Sequence, residues 1–310
     1  MIALPYVKEE TVIELIIEEP IQVLCVTSGG VGRIDKKTFQ FSAGETQVRL
    51  SAIPEGTEKI SVTADIHNSQ TLVELLLTLD AINRLEYLGP VELTLPYLPY
   101  SRQDRDCAPG ESFSLSVLVN CLVPYLDTWD TVTTWDVHSK VANSLFKRKF
   151  KGKFYNRSAA ELLNSMEAGG AVKFKPDTIV IAPDKGAVER ASEVQDVLGL
   201  EKTVYATKVR NPDNGQILRT EVPDDVNYEG KTLLIVDDIC DGGRTFIELA
   251  KVLRQHNPSR IDLYVTHGIF SKGFDVFENL IDHFYVANLL PNNLFYDRLP
   301  TNLTFIRNAA

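Results

Sequence analysis

Asp237 and Asp238 stand side by side after the apolar run Thr232 to Val236. Asp241-Gly242-Gly243-Arg244-Thr245 follows, and then a helical pattern that opens at Phe246. Two adjacent carboxylates at a strand end accept hydrogen bonds from the two neighbouring hydroxyls of a ribose. Two glycines let backbone N–H groups approach a phosphate closely, and the N-terminus of the next helix favours an anion. The order points to a site for a phosphorylated ribose. A helix cap accounts for one Asp or Thr, but not for the carboxylate pair and both glycines together.

Other chemistry-bearing residues give weaker signals. Cys25, Cys107, Cys121 and Cys240 form no C-x-x-C pair and have no zinc-type histidine spacing. Cys25 and Cys121 sit in apolar runs and read as core residues. Cys240 lies within the glycine-rich segment but has no neighbouring histidine to act as a base, so the pattern lacks what a nucleophilic cysteine needs. Gly230-Lys231-Thr232 imitates the end of a P-loop. It fails because Asp225 occupies the position of the first glycine and a strand follows in place of a helix.

Elements that could position the sugar segment recur along all 310 residues. Short runs rich in Val, Ile, Leu and Thr mark strands at Ile21 to Val26, Lys59 to Ala64, Val91 to Leu95, Thr131 to Trp135, Thr178 to Ile181, Thr203 to Ala206, Thr232 to Val236 and Arg260 to Thr266. Helical spacing marks Gln70 to Leu85, Phe113 to Val123, Ala159 to Met166, Ala187 to Leu198, Phe246 to Gln255 and Phe274 to Asn279. Such alternation predicts an α/β chain with mainly parallel sheets and ligands beyond the carboxyl ends of the strands. The length suits two domains, with a boundary near residues 140 to 155, where Lys147-Arg148-Lys149-Phe150-Lys151 follows the last strand of a first sheet. Residues 207 to 230 carry Asn211-Pro212-Asp213-Asn214-Gly215 and little apolar periodicity, which predicts a long mobile loop. A net charge of −10 argues against nucleic acid or an anionic membrane as a partner, so any nucleotide must meet local basic clusters. No run approaches the ~18 apolar residues of a membrane span, and the N-terminus lacks a signal-peptide pattern. A cytoplasmic location is the resulting expectation.

The segment from Asp237 to Thr245 resembles the ribose-phosphate loop of type I phosphoribosyltransferases and of ribose-phosphate pyrophosphokinases, the synthetases of phosphoribosyl diphosphate (PRPP). Six further segments are similar to the pyrophosphokinase family in order and approximate spacing. Pro96-Tyr97-Leu98-Pro99-Tyr100-Ser101-Arg102-Gln103-Asp104-Arg105 resembles its ATP-binding signature. Phe41-Ser42-Ala43-Gly44-Glu45 resembles the loop that reaches the nucleotide from a neighbouring subunit. Trp135-Asp136-Val137-His138 matches a strand end whose histidine lies beside the ATP phosphates and magnesium. Ala182-Pro183-Asp184-Lys185-Gly186-Ala187-Val188-Glu189-Arg190 resembles a run whose aspartate helps to position Mg²⁺. Thr207-Lys208-Val209-Arg210 matches the lysine and arginine that close over the transferring group, and Thr266-His267-Gly268-Ile269-Phe270-Ser271 matches a C-terminal family segment. The resemblance spans about residues 39 to 271 and is to a divergent, phage-like member, with Arg244 inside a loop that elsewhere binds one phosphate through small residues.

The resemblance implies two type I phosphoribosyltransferase-like domains, 1–148 and 149–310, each a mainly parallel sheet flanked by helices. It implies Mg²⁺-dependent transfer of the β,γ-diphosphoryl group of ATP to the C1 hydroxyl of ribose 5-phosphate. ATP would be bound by Phe41, Glu45, Arg102, Gln103, Asp104 and Arg105, and the metal by His138 and Asp184. Lys208, Arg210 and His138 would act in catalysis, and Asp237, Asp238, Asp241, Gly242, Gly243, Arg244 and Thr245 would bind the ribose phosphate. The shared loop implies at least a homodimer. Two alternatives stay open: the same transfer to a larger 5-substituted ribose such as ADP-ribose, with Arg244 meeting a second phosphate, and a catalytically silent member that regulates a partner.

Overall fold

The computed structural model describes residues 19–210, 217–290 and 299–305, with the backbone alone at 208–210 and 217–219. It divides into two compact units that part between Arg157 and Ser158.

The first unit contains β1 (Ile21–Thr27), β2 (Gly30–Arg33), β3 (Lys36–Gln40), β4 (Thr46–Leu50), β5 (Lys59–Ala64), β6 (Val91–Leu95), β7 (Thr131–Trp135) and β8 (Lys153–Arg157). Its main sheet has the order β2-β1-β5-β6-β7-β8, parallel from β5 onward, with β1 antiparallel to both of its neighbours. Helix α1 (Ser69–Arg84) starts where the Asn68 side chain accepts a hydrogen bond from the Thr71 N–H (2.8 Å), and it buries Leu75, Leu79 and Ile82. Helices α2 (Ser114–Leu122) and α3 (Val141–Lys149) complete the unit, and Phe146 of α3 stacks on Phe154 of β8 at 4.1 Å. β3 and β4 form a separate hairpin whose base is fastened to α1, where buried Glu74 accepts from Lys36 and from the Thr38 hydroxyl.

The second unit contains α4 (Ala159–Ala168), β9 (Ile179–Ala182), α5 (Val188–Leu198), β10 (Lys202–Tyr205), β11 (Thr207–Arg210), β12 (Ile217–Glu221), β13 (Thr232–Cys240), α6 (Arg244–Arg254), β14 (Arg260–Gly268), β15 (His283–Leu289) and β16 (Leu303–Phe305). Its main sheet has the order β10-β9-β13-β14-β15-β16 and is parallel throughout. Leu233, Leu234, Ile235 and Val236 are all buried, as expected of a central strand covered on both faces. Phe246, Leu249, Ala250 and Leu253 form the buried stripe of α6.

Several expectations need correction. β13 does not stop at Val236, because pairing with β14 continues through Asp237↔Val265, Ile239↔His267 and Cys240↔Gly268, so the carboxylates lie inside the strand. β7 is not the last strand of the first sheet. The basic stretch ends α3, and β8 follows it, paired with β7, so the first unit runs to Arg157 and not to 148. Residues 207 to 230 include an antiparallel ribbon, β11–β12, while 211–216 lie outside the described residues. The helix expected from Phe274 to Asn279 is a single 3₁₀ turn, Asp275–Phe277, between Gly273 and Asn279, both at positive φ. Its aromatic spacing reflects a cluster of Phe270, Phe274, Phe277 and Phe284. Cys121 is half-buried, whereas Cys25 is in the core.

Candidate active site

In the first unit the loops after β6 and β7 meet because their strands are neighbours. Asp104 is buried and accepts a forked pair of hydrogen bonds from Arg105, Nε to Oδ1 at 2.7 Å and Nη2 to Oδ2 at 3.0 Å. The Ser139 hydroxyl donates to Oδ2 at 2.5 Å. Bonding from Arg105 outweighs burial and, with Ser139 and the nearby His138, holds the Asp104 carboxyl at about 2, far below its usual range. Asp104 therefore orients Arg105 and ties it to the segment that carries exposed His138. Arg102 and Gln103 are exposed in the same turn, where the Gln103 carbonyl accepts from the Leu115 N–H (3.3 Å). Tyr100 just before them has φ 62° and Asp136 after β7 has φ 37°, non-glycine residues in the left-handed region, as is common near functional sites. Phe41 and Glu45 close the β3–β4 turn, with the Phe41 N–H donating to the Glu45 carbonyl (2.8 Å). Phe41 is 55% exposed and lies edge-on to Phe39 at 5.6 Å, which leaves an aromatic tip in solvent.

In the second unit β9, β13 and β14 lie side by side, so their carboxyl ends bring three loops together. Asp237 and Asp238 are both largely buried and share Arg190 of α5, at 3.4 and 4.0 Å. The Asp238 N–H also donates to Asp237 Oδ1 at 2.9 Å. Burial and the adjacent Asp238 charge push the Asp237 carboxyl up strongly, against the pull of Arg190. Strongly perturbed, largely buried carboxyls of this kind mark a candidate functional site. Gly243, at φ 74°, turns the chain into α6. The N–H groups of Gly242, Gly243, Arg244 and Thr245 have no acceptor among the described residues, as the first amides of a helix do not, which leaves successive donors for an anion. Arg244 is exposed and has no ion pair among the described residues. Asp241 accepts from the Ser271 hydroxyl at 2.6 Å, which ties the loop after β14 to the glycine turn. Burial pushes the Cys240 thiol well above its ordinary range, which removes it as a nucleophile.

Asp184 follows β9, half-buried, with Oδ1 accepting from the Gly186 N–H at 2.9 Å. Lys208 and Arg210 are placed by backbone on β11, opposite Thr220 and Ile217, with an irregularity between Val209 and Arg210; their side chains lie outside the described residues. Of the two residues that the resemblance implies for the metal, His138 belongs to the first unit and Asp184 to the second. Sequence reasoning assigned no role to Arg190, although it ends the run that begins at Ala182, nor to Ser139, Ser271 or Lys272. Arg190 and Ser271 did carry a signal, each as the last residue of a segment that matches the family, whereas Ser139 and Lys272 carried none.

A parallel sheet whose central strand delivers a carboxylate pair, then a glycine turn and a helix N-terminus, defines a phosphoribosyltransferase-type domain. Residues 156–284 match the phosphoribosyl transferase domain family, and residues 16–124 match the N-terminal domain of ribose phosphate pyrophosphokinase, a match that begins earlier than the motifs from residue 39. The chain is 33% identical over 271 residues to the ribose-phosphate pyrophosphokinase of Thermococcus kodakarensis, covering 85% of this chain and 89% of that one. It is 31% identical over 266 residues to that of Pyrococcus abyssi, covering 84% and 86%. The fold is similar, with a TM-score of 0.70 at 23% identity, to the crystal structure of phosphoribosylpyrophosphate synthetase from Mycobacterium smegmatis, over 89% of this chain and 86% of that one. The chain belongs to the ribose-phosphate pyrophosphokinase family, and with it to the diphosphokinase-type transferases. No helix among the described residues is long and apolar enough to cross a membrane.

Proposed function

We propose that this protein transfers the β,γ-diphosphoryl group of ATP to the C1 hydroxyl of ribose 5-phosphate, giving PRPP and AMP. The observation that carries the reading is the carboxylate pair in β13 followed by four amides, Gly242 to Thr245, without an acceptor among the described residues. Asp237 and Asp238 hold the ribose hydroxyls, and the amides with the α6 dipole hold the 5-phosphate. The C1 oxygen forms a bond to the β-phosphorus while the bond from that phosphorus to the α-bridging oxygen breaks. AMP leaves with the electron pair, and the hydroxyl proton passes to water. Arg102, Gln103 and Arg105 bind ATP, with Arg105 held in place by Asp104. Lys208 and Arg210 stabilise charge on the transferring group. Phe41 and Glu45, at an exposed and well-anchored hairpin tip, serve the nucleotide of a neighbouring subunit, which makes the working form at least a dimer.

The donor chemistry fits Mg²⁺. Asp184 offers a hard carboxylate beyond a strand end, and with the oxygens of the substrate phosphates it would give donors of the kind Mg²⁺ prefers. When bound, it neutralises charge on the β- and γ-phosphate oxygens. A second reading keeps the reaction and replaces the acceptor with ADP-ribose. It is favoured by Arg244, a forked cation without an ion-pair partner among the described residues.

The test is mass spectrometry of products from ATP, Mg²⁺ and a panel of ribose phosphates. PRPP and AMP from ribose 5-phosphate are expected. AMP release only with ADP-ribose would transfer the conclusion to the second reading, and no AMP with any acceptor would overturn both.

A further inference from the structure

We propose that Lys272 is an additional binding residue for the acceptor's 5-phosphate, held over the glycine turn by the loop after β14. The inference rests on the reading of Asp237 to Thr245 as the acceptor's ribose-phosphate loop. A Cβ at Gly242 would stand 3.5 Å from Lys272 Cε and 3.6 Å from Cδ, so the lysine stem lies along the bare face of that glycine. The ammonium is one bond beyond Cε, which puts it within reach of a phosphate held at this turn.

This placement is built into the fold. The N–H groups of Ile269 and Phe270 donate to the Cys240 carbonyl at 2.8 and 3.1 Å, and that of Ser271 donates to the Asp241 carbonyl at 3.2 Å. The Ser271 hydroxyl adds its bond to the Asp241 carboxylate. The residue before Lys272 is thus pinned to the glycine turn through both backbone and side chain.

Charge balance supplies the second argument. Asp238 and Asp241 lie within four consecutive positions, and a phosphate monoester brings roughly −1.5 to −2 more at neutral pH. A helix N-terminus offsets only about half an elementary charge. Arg190 is already shared by Asp237 and Asp238. The cations left at the turn are Arg244 and Lys272, both exposed and neither with an ion-pair partner among the described residues. A lysine ammonium is a compact point charge with three donors, suited to a phosphate already met by several amides.

The alternative role is a cover for Gly242, and Lys272→Met separates the two because it keeps an apolar stem and removes the charge. With the full chain, ATP and Mg²⁺, Lys272→Met is expected to raise the KM for ribose 5-phosphate about tenfold while kcat stays within about twofold, the scale of one exposed charge-assisted hydrogen bond. KM for ATP should not change, and Lys272→Arg should restore most of the acceptor affinity. An unchanged KM for ribose 5-phosphate in Lys272→Met, or an equal rise for ATP, would overturn the proposal. Calorimetric binding of ribose 5-phosphate, without ATP, tests the lysine even if the wild type releases no AMP. Weaker binding by about tenfold in Lys272→Met supports it; equal binding, or no binding to the wild type, refutes it. Failure of the functional reading instead shows as wild-type binding without turnover.

Discussion

Gly243→Ala tests whether the glycine turn is fixed by its surroundings as described. Gly243 has φ 74°, and a Cβ there would lie 2.3 Å from Phe277 Cζ and within 3.0 and 3.1 Å of its two Cε atoms. Phe277 has little room to retreat: it is 1% exposed and lies edge-on to Phe270 and Phe284 at 6.1 and 5.4 Å. The left-handed backbone costs an alanine about 1–2 kcal/mol, and forcing a methyl into a packed ring costs about 1–3 kcal/mol. The sum, roughly 2–5 kcal/mol, corresponds to a drop in Tm of roughly 5–20 °C for a unit of this size. Gly242→Ala is the control. Its Cβ would meet the flexible end of Lys272 and the Ser271 Oγ, all at ordinary contact distance, so its Tm should stay within a few degrees of the wild type. The assay is thermal melting followed by circular dichroism, with KM for the acceptor measured on the same preparations. A Gly243→Ala protein that melts within about 2 °C of the wild type and keeps its acceptor KM would refute the reasoning.

Lys208→Ala and Arg210→Ala should each lower kcat on the order of 10²-fold and change KM for ATP far less; steady-state kinetics with unchanged kcat in both would remove the pair from the chemistry. Asp237→Asn should have opposite effects on binding and stability. The acid is pushed up to about 8 in the folded protein against an ordinary 3.8, so it holds its proton more tightly when folded, and ionising it costs stability as pH rises through that window. The variant should therefore gain Tm relative to the wild type between pH 5 and 8.5, while its acceptor KM rises roughly ten- to hundredfold; a Tm difference independent of pH would show that the carboxyl is not perturbed. Asp104→Ala should raise the KM for ATP about tenfold by releasing Arg105, and because Asp104 stays ionised down to about 2, the effect should be the same at pH 6 and pH 9. An unchanged KM would mean that Arg105 needs no anchor.

The strands that build the site were legible because parallel central strands are runs of apolar residues. Lys59 to Ala64, Val91 to Leu95 and Thr131 to Trp135 agree with the structure to the residue. The ends of β13 and β14 were not, because Asp237 and Asp238 look like a strand terminus in sequence and become strand residues only when β14 continues to bond beside them. β3 is exposed along nearly its whole length, and β4 places only Val48 and Leu50 in the core, too short an alternation to mark the hairpin in sequence. β8, Lys-Phe-Tyr-Asn-Arg, was hidden for the same reason: one aromatic, Phe154, stacks on Phe146 and the rest is half-exposed. Within the site, the motif residues could be located from their order. Their couplings could not, because Ser139 to Asp104 and Ser271 to Asp241 join loops distant in the chain through the order of the strands beneath them.

β13 also governs how the second unit can assemble. β9 and β14 never pair with each other; each pairs with β13, and Ile181 meets Ile235 across more than fifty residues of chain. Closing such a loop is paid in entropy before any ladder bond returns it, so parallel insertion of β13 is a slow step. The carboxylates, the glycine turn and the Ser271 clamp come into register only after that step. Substitutions at Leu233 to Val236 should therefore slow refolding as well as lower stability, and the acceptor loop will be among the last parts of the protein to acquire its shape.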